Sequence, residues 1–125
     1  MDDRTTIAQL RTLVDEFVSE RKWQVFHTPK NLAMALAIEV AELMEHFQWL
    51  EPQASRDLAN DADRRAAVGE EMADVLCYVL ALANELKLDL SDSLRAKMVK
   101  NRLKYPAHEY RGRYGADDPR EPLEF

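Results

Sequence analysis

The chain has 125 residues, which is enough for one hydrophobic core and one domain. Its formal net charge of -6 argues against a binder of nucleic acid polymers, because such a protein needs a basic surface to neutralise phosphates. No run approaches the roughly 18 apolar residues of a membrane span, and the start lacks the basic-then-apolar layout of a secretory signal. We therefore expect a soluble cytoplasmic protein.

The first half of the chain predicts two helices. Glycine is scarce, and alanine, leucine, glutamate and arginine are plentiful, which favours helices over sheets. Apolar residues at three-and-four spacing predict a first helix over about residues 5–21. Pro29 disfavours a helical conformation at the residue before it. The second helix is therefore predicted over about residues 31–50, with Pro52 just beyond its end.

The second half predicts two more helices and a tail. The polar residues 53–63 are expected to form a loop, with or without a helical turn. A third helix is predicted over about residues 64–86, and Ser91 is a good N-cap for a fourth that reaches about Lys104. We thus expect one all-α domain over residues 1–106. Residues 107–125, which hold two glycines and two prolines, are expected to be an irregular C-terminal tail.

A pair of glutamates stands beside the apolar stripe of the second predicted helix. On a helical wheel, six apolar residues share an arc of about 80°. They are Leu32, Leu36, Val40, Leu43, Phe47 and Leu50. Glu39 lies about 20° from the edge of that arc and Glu42 about 80° from it. A carboxylate beside a core stripe is partly desolvated, which is unfavourable unless it is paired or bound to a metal.

The third predicted helix repeats this arrangement. Its apolar stripe consists of Val68, Met72, Val75, Leu76, Val79 and Leu86. Glu71, Asp74 and Tyr78 lie together on one flank of the stripe. An i, i+3 pair presents its two carboxylates on one helix face, one turn apart. Two such helices packed together would bring four carboxylates to one point.

The residue types in this acidic cluster favour a hard cation. Four carboxylates without histidine or cysteine suit magnesium or manganese better than zinc. Magnesium completes its shell with water and substrate phosphates, so the cluster indicates phosphoryl chemistry. Di-iron bundles need E-x-x-H pairs, whereas Glu45 and Asp74 occupy the corresponding positions here. A single E-x-x-E pair is usually a solvated helix face; two on successive helices favour the metal site.

Several separated motifs resemble one family. The string WQVFHTPKNL at residues 23–32, followed by EVAEL at 39–43 and FQW at 47–49, closely resembles the MazG-like nucleotide pyrophosphohydrolases. Within that superfamily it is most similar to the dCTP pyrophosphatase branch. The string EEMADVL at 70–76 resembles the second half of the family's metal motif. The pattern KM-x-x-NR-x-x-YP at 97–106 resembles its closing motif.

The resemblance implies a fold, an activity and an assembly. It implies an all-α, four-helix bundle-like fold whose subunits form homodimers or homotetramers. It implies hydrolysis of nucleoside triphosphates between the α and β phosphates, with Mg²⁺ as the cofactor and Mn²⁺ as an alternative. Two other functions stay open. One is a sibling enzyme for dUTP, a modified nucleotide or phosphoribosyl-ATP, and the other is a non-catalytic helical interaction module.

The resemblance also implies site residues. The family's metal ligands match Glu39, Glu42, Glu71 and Asp74, and we expect Glu39, Glu42 and Glu71 to serve catalysis. Glu42 is our candidate for positioning or deprotonating the attacking water. Nucleotide contacts of the branch match His27, Trp49, Tyr78, Lys97 and Asn101. The neighbouring candidates are Trp23, Asn31, Arg102, Lys104 and Tyr105.

The fourth predicted helix is compatible with this assignment. Lys97, Asn101 and Lys104 share one face of it, so two cations and an amide lie in a line that suits phosphates. An ordinary solvated lysine face is the alternative. Trp23 and Trp49 suit stacking on a base, although single tryptophans more often lie in cores or interfaces.

Overall fold

The first helix begins at a capping box. In the computed structural model, which describes residues 1–115 and 117–124, helix α1 spans Ile7–Glu20. The Thr6 hydroxyl accepts a hydrogen bond from the Gln9 backbone N–H (3.1 Å), and the Gln9 side chain accepts one from the Thr6 N–H (2.8 Å). This reciprocal pair satisfies two N–H groups that the helix leaves without partners. The predicted first helix is therefore present.

Helix α2 spans Pro29–Glu45 and differs from its prediction at both ends. It begins earlier because Pro29 occupies its first turn, where no N–H donor is needed, and the Thr28 hydroxyl accepts from the Asn31 N–H (3.2 Å). The prediction of helix to residue 50 was wrong. After Glu45 the chain forms tight turns, with the Phe47 N–H bonded to the Met44 carbonyl (3.0 Å).

The predicted loop over residues 53–63 is mostly helical. Helix α3 spans Pro52–Asp57, and a 3₁₀ turn follows over Leu58–Asn60. Pro52 starts the helix at the position where proline is tolerated best. Leu58 is buried, and this burial anchors the segment to the core. The polar composition of residues 53–63 gave no indication that Leu58 is buried.

Helix α4 spans Ala62–Leu86 and is the longest helix in the described part of the chain. The Asp61 side chain caps it by accepting from the Arg64 N–H (3.1 Å), and Lys87 ends it in the left-handed conformation (φ 55°). Helix α4 packs against α2 and α1. The buried apolar residues of this part are Val14, Val18, Leu32, Leu58, Val68, Leu80, Ala81 and Ala83.

Both predicted apolar stripes are only partly covered. Four of their members are exposed in this chain: Val40, Met72, Leu76 and Leu86. The buried residues of α4 are Val68, which belongs to the predicted stripe, and Leu80, Ala81 and Ala83, which do not. The wheels place residues on a face correctly, but the neighbouring helix decides which part of that face is covered.

Contacts divide the chain into two compact units, Met1–Leu88 and Asp89–Phe125. The second unit contains α5 over Leu90–Lys104 and a short α6 over Ala107–Tyr110. The N-cap of α5 is Asp89, which accepts from the Asp92 N–H (2.8 Å), so the prediction of Ser91 as N-cap was wrong. The predicted boundary after residue 106 stays a prediction.

The segment after α6 is irregular in its described residues but internally bonded. Asp118 is buried and accepts hydrogen bonds from the backbone N–H groups of Tyr114 (2.9 Å) and Arg120 (3.0 Å), as well as from the Arg120 guanidinium. The Leu123 N–H donates to the Arg111 carbonyl (2.7 Å). Ala116 and Phe125, which belong to the predicted tail, lie outside the described residues.

Every regular element among residues 1–115 and 117–124 is helical, which confirms the predicted all-α class. None of the helices described is both long and apolar enough to cross a bilayer.

Candidate metal centre

Three carboxylates from two helices converge within the first unit. Glu39 and Glu42 come from α2 and Glu71 from α4, and each offers an oxygen that lies within 4.8 Å of the others. The i, i+3 spacing places the two α2 carboxylates on one face of the helix. Packing of α2 against α4 then brings Glu71 to them. The structure thus brings together three of the four predicted ligands.

Burial and mutual repulsion raise the pKa of Glu39 and of Glu71. Burial is the larger cause for Glu39, followed by a hydrogen bond and charge repulsion from Glu42. Burial is again first for Glu71, followed by the charge of Glu42 and a hydrogen bond with it. Glu42 is exposed and lies within hydrogen-bonding reach of both. Burial and the neighbouring carboxylates therefore disfavour the ionised forms of Glu39 and Glu71.

Two buried oxygens of this group make no hydrogen bond: Oε2 of Glu39 and Oε2 of Glu71. A buried carboxylate oxygen without a partner is unfavourable because it loses its hydration without compensation. A divalent cation between the helices would compensate both oxygens at once. An all-oxygen donor set suits magnesium or manganese. The residues present therefore fit a hard cation.

Asp74 lies near the group without belonging to it. Its charge raises the pKa of both Glu39 and Glu71, but its oxygens fall outside the set that lies within 4.8 Å. Its side chain is exposed. The helical wheel placed Asp74 on the same flank of α4 as Glu71. The register between α2 and α4 then decides how far the Asp74 carboxylate lies from Glu39 and Glu42.

Tyr78 and Cys77 flank the cluster on α4. Burial, then the charge of Glu39, raises the pKa of the Tyr78 hydroxyl. Burial, then the charge of Asp74, raises the pKa of the Cys77 thiol. Tyr78 is partly buried. The charges of Glu39 and Asp74 thus act on Tyr78, whereas its contact with a nucleotide stays a prediction.

One residue near the cluster was missed by the sequence reasoning. The charge of His46, at the C-terminal end of α2, lowers the pKa of Glu71 against the other influences. The available signal was its spacing, because His46 follows Glu42 by one helical turn and Glu39 by two. His46 is the fourth residue after Glu42, so the two do not form the E-x-x-H pattern, which has histidine at the third position.

The segment before α2 lies elsewhere in the first unit. His27 lines a small crevice together with Asn84 and Glu85, near the C-terminal end of α4. At 1.5 Å per residue, this end is about 20 Å along the helix from Glu71. The structure therefore does not bring His27 to the carboxylates of its own chain.

Two further candidates accompany His27. The Trp23 ring lies 6.3 Å from the His27 ring and makes an edge contact with Phe17 at 5.7 Å. The Asn31 amide donates to the Phe26 carbonyl (3.0 Å). Trp49 lies in the turns after α2 and is 87% exposed. The roles predicted for these residues stay predictions.

The remaining candidates belong to the second unit. Lys97, Asn101, Arg102 and Lys104 lie on α5, and Tyr105 ends that helix. The Lys104 ammonium lies 5.3 Å from the centre of the Tyr105 ring. Asn101 is partly buried, and the three cations are exposed. An exposed basic face on α5 is compatible with the predicted contacts to phosphate, which stay predictions.

Known proteins resemble this chain over most of its length. The MazG-like family model matches residues 34–114. A dCTP pyrophosphatase 1 from Bos taurus is 43% identical over 107 residues, which are 86% of this chain. The Homo sapiens dCTP pyrophosphatase 1 is 44% identical over 103 residues, or 82% of this chain. The chain spans 63% and 61% of the length of these two relatives.

A solved structure agrees with these relatives. A pyrophosphatase from Archaeoglobus fulgidus superposes with a TM-score of 0.74 at 40% identity, and the match covers 79% of this chain and 91% of that one. The fold and the cluster together define an all-α protein with a carboxylate-rich candidate metal site. The chain belongs to the MazG-like family.

Proposed function

We propose that this protein is a nucleoside triphosphate pyrophosphohydrolase, which releases a nucleoside monophosphate and pyrophosphate. The observation that carries the proposal is the convergence of Glu39, Glu42 and Glu71, with two buried oxygens that lack hydrogen-bond partners. Such a site suits a divalent cation that also binds phosphates. The pyrophosphatase names of the similar proteins support the same reaction.

We propose Mg²⁺ as the cation, with Mn²⁺ as an alternative. Glu39 and Glu71 would hold it through their buried oxygens, with Glu42 beside them and Asp74 near enough to add charge. Bound magnesium supplies neutralisation of phosphate charge and a lowered pKa of bound water. All four predicted ligands thus keep a place in the proposed site.

The exposed carboxylate has a separate role in the proposal. Glu42 faces solvent and lies within hydrogen-bonding reach of both partly buried glutamates. It can therefore position the attacking water and accept its proton as the oxygen approaches the α-phosphorus. The bond between the α-phosphorus and the bridging oxygen breaks, and pyrophosphate leaves.

The proposed substrate is a deoxynucleoside triphosphate of the dCTP type. The motif WQVFHTPKNL over residues 23–32 and the names of the mammalian relatives support this choice. Tyr78, which flanks the carboxylates, is a proposed nucleotide contact. Lys97 and Asn101, both on α5, are two further proposed contacts. Control of the nucleotide pool in the cytoplasm is the matching biological role.

We also propose that the chain works as a homodimer or homotetramer. An apolar groove runs between α1 and α4 in the first unit. It is lined by Leu10, Leu13, Val14, Phe17, Ala73, Leu76, Cys77 and Leu80. Leu13 is 62% exposed and Phe17 46%, so large apolar side chains face solvent in the isolated chain. Contiguous exposed apolar surface of this kind is typical of an interface between proteins.

A substrate panel tests the proposed function directly. Purified protein is incubated with Mg²⁺ and each deoxynucleoside triphosphate, and pyrophosphate release is measured. We expect turnover with dCTP above the others and loss of activity with EDTA. Glu71→Gln should lower kcat at least about 100-fold, because it replaces a charged metal ligand by an uncharged amide. Helicity should be unchanged, because glutamine and glutamate are nearly equal in size. Full activity of Glu71→Gln would contradict the carboxylate site.

A further inference from the structure

His46 shares a helix face with two of the clustered carboxylates. On a wheel of α2 it lies about 20° from Glu39 and about 40° from Glu42. It stands immediately after the last residue of the helix and acts as its C-cap. Its side chain is partly buried, whereas its neighbours Met44 and Glu45 are exposed. His46 is therefore on the side of α2 that faces α4.

Two tight turns hold the backbone at this position. The His46 N–H donates to the Leu43 carbonyl (3.2 Å), and the Phe47 N–H donates to the Met44 carbonyl (3.0 Å). These bonds fix the starting point of the side chain at the end of the helix. The side chain of His46 therefore starts from a fixed backbone position at the end of α2 rather than from a free loop.

The imidazole belongs to the residue that shares the carboxylate face of α2, and it is not paired with a carboxylate of the cluster. Its charge acts on Glu71. No ion pair within 4.0 Å joins His46 to Glu39, Glu42 or Glu71 in the described part of the chain. Among the groups whose charges act on Glu39 or Glu71, His46 is the one base, and the rest are carboxylates. The cluster thus has a basic hydrogen-bond donor at its border, in addition to the Tyr78 hydroxyl on α4.

A triphosphate needs such a donor. Carboxylates repel its oxygens, and a cation compensates only those oxygens that it contacts. An imidazole donates an N–H whether it is neutral or protonated, and hydrogen bonds to anionic oxygens are among the stronger ones. We propose that His46 binds a phosphate oxygen of the nucleoside triphosphate by donating a hydrogen bond from its imidazole. This inference rests on the proposed function.

Binding of magnesium tripolyphosphate tests the inference without turnover. Isothermal titration calorimetry compares the wild type with His46→Ala, which removes the donor, and His46→Gln, which retains one. We expect about tenfold weaker binding for His46→Ala and binding within about threefold of wild type for His46→Gln. His108→Gln is the matched control, because His108 is exposed and lies in the second unit. Its affinity should equal that of the wild type.

Further measurements separate this role from others. Mg²⁺ binding alone should not change in His46→Ala, and KM for the nucleotide should rise about tenfold while kcat stays within about threefold. If His46→Ala does not fold, His46→Phe supplies a ring without a donor. Wild-type affinity for magnesium tripolyphosphate in the donor-free variant would overturn the inference, as would a matching loss of Mg²⁺ affinity.

The same experiment distinguishes the inference from the proposed function. A wild type that binds magnesium tripolyphosphate but hydrolyses no nucleotide contradicts the function, while the comparison of His46 variants still decides the role of His46. If the wild type and His46→Ala hydrolyse nucleotides with equal kcat/KM, the inference alone is contradicted. A wild type that does not bind magnesium tripolyphosphate overturns the inference.

Discussion

At the scale of single residues, the carboxylate cluster couples stability to pH. The pKa values of Glu39 and Glu71 are raised in the folded chain, chiefly by burial. The folded state therefore binds protons more tightly than the unfolded state does. The contribution of Glu39 and Glu71 to the free energy of unfolding is fully present below their ordinary pKa of 4.5. It is lost as the pH rises through their raised pKa values.

We predict that the metal-free protein is less stable near pH 8 than near pH 5. Thermal unfolding in EDTA, followed by circular dichroism, measures this difference. Asp118 does not mask it, because hydrogen bonds from Arg120 lower the Asp118 pKa and its contribution is lost only below the ordinary value of 3.8. The double variant Glu39→Gln, Glu71→Gln should show a flatter profile. A metal-free Tm that rises from pH 5 to pH 8 would count against the cluster.

At the scale of elements, one side chain ties α1 to the C-terminal end of α4. The Arg11 guanidinium donates to the Asn84 side chain (2.9 Å) and to the Ala83 carbonyl (3.1 Å). The Asn84 amide in turn donates to the Arg11 carbonyl (3.0 Å). Because Ala83 and Asn84 belong to the last turn of α4, these bonds join α1 to the end of that helix, where the Ala83 carbonyl also accepts from the Leu88 N–H (3.0 Å).

We predict that Arg11→Met lowers the free energy of unfolding by about 1–3 kcal/mol, because the partly buried Asn84 side-chain oxygen loses its donor and the Ala83 carbonyl loses one of its donors. Urea denaturation measures the loss. Arg4→Met is the matched control and should change little, since Arg4 is exposed and its one ion pair with the described residues is to its neighbour Asp3 (3.7 Å). A double-mutant cycle with Asn84→Ala should show coupling, and strict additivity would refute the reciprocal pair.

At the scale of the whole molecule, the first unit exposes apolar surface that would be more stable if it were buried. The groove between α1 and α4 is apolar, and Leu13 and Phe17, which line it, are exposed in the isolated chain. Removing such side chains from water contributes about 25 cal/mol per Å², which opposes the entropy lost on association. The proposed homo-oligomer would cover this surface.

We predict that Leu13→Glu lowers the molar mass measured by light scattering after size-exclusion chromatography, because it places a charge in the apolar groove. The monomer should remain helical. Thr12→Glu is the control, since Thr12 is exposed on α1 and does not line the groove. A wild type that is monomeric at all concentrations contradicts the proposed assembly.

The sequence by itself determined the four long helices, apart from some of their ends, and the spacing of the paired carboxylates. Thr6 and Thr28 act within one turn of chain, so their caps mark the beginnings of α1 and α2 locally. The i, i+3 spacing of Glu39 and Glu42 is likewise fixed by helix geometry alone. The end of α2 was less predictable, because the tight turns after Glu45 preserve the apolar pattern without continuing the helix.

Only the tertiary structure decided which side chains meet. The register of α2 against α4 brings Glu71 within 4.8 Å of the α2 carboxylates, leaves Asp74 outside that set and places His46 at its border. It also sets His27 near the other end of α4. The physical reason is that helix spacing depends on local backbone geometry, whereas register depends on packing between residues far apart in the chain.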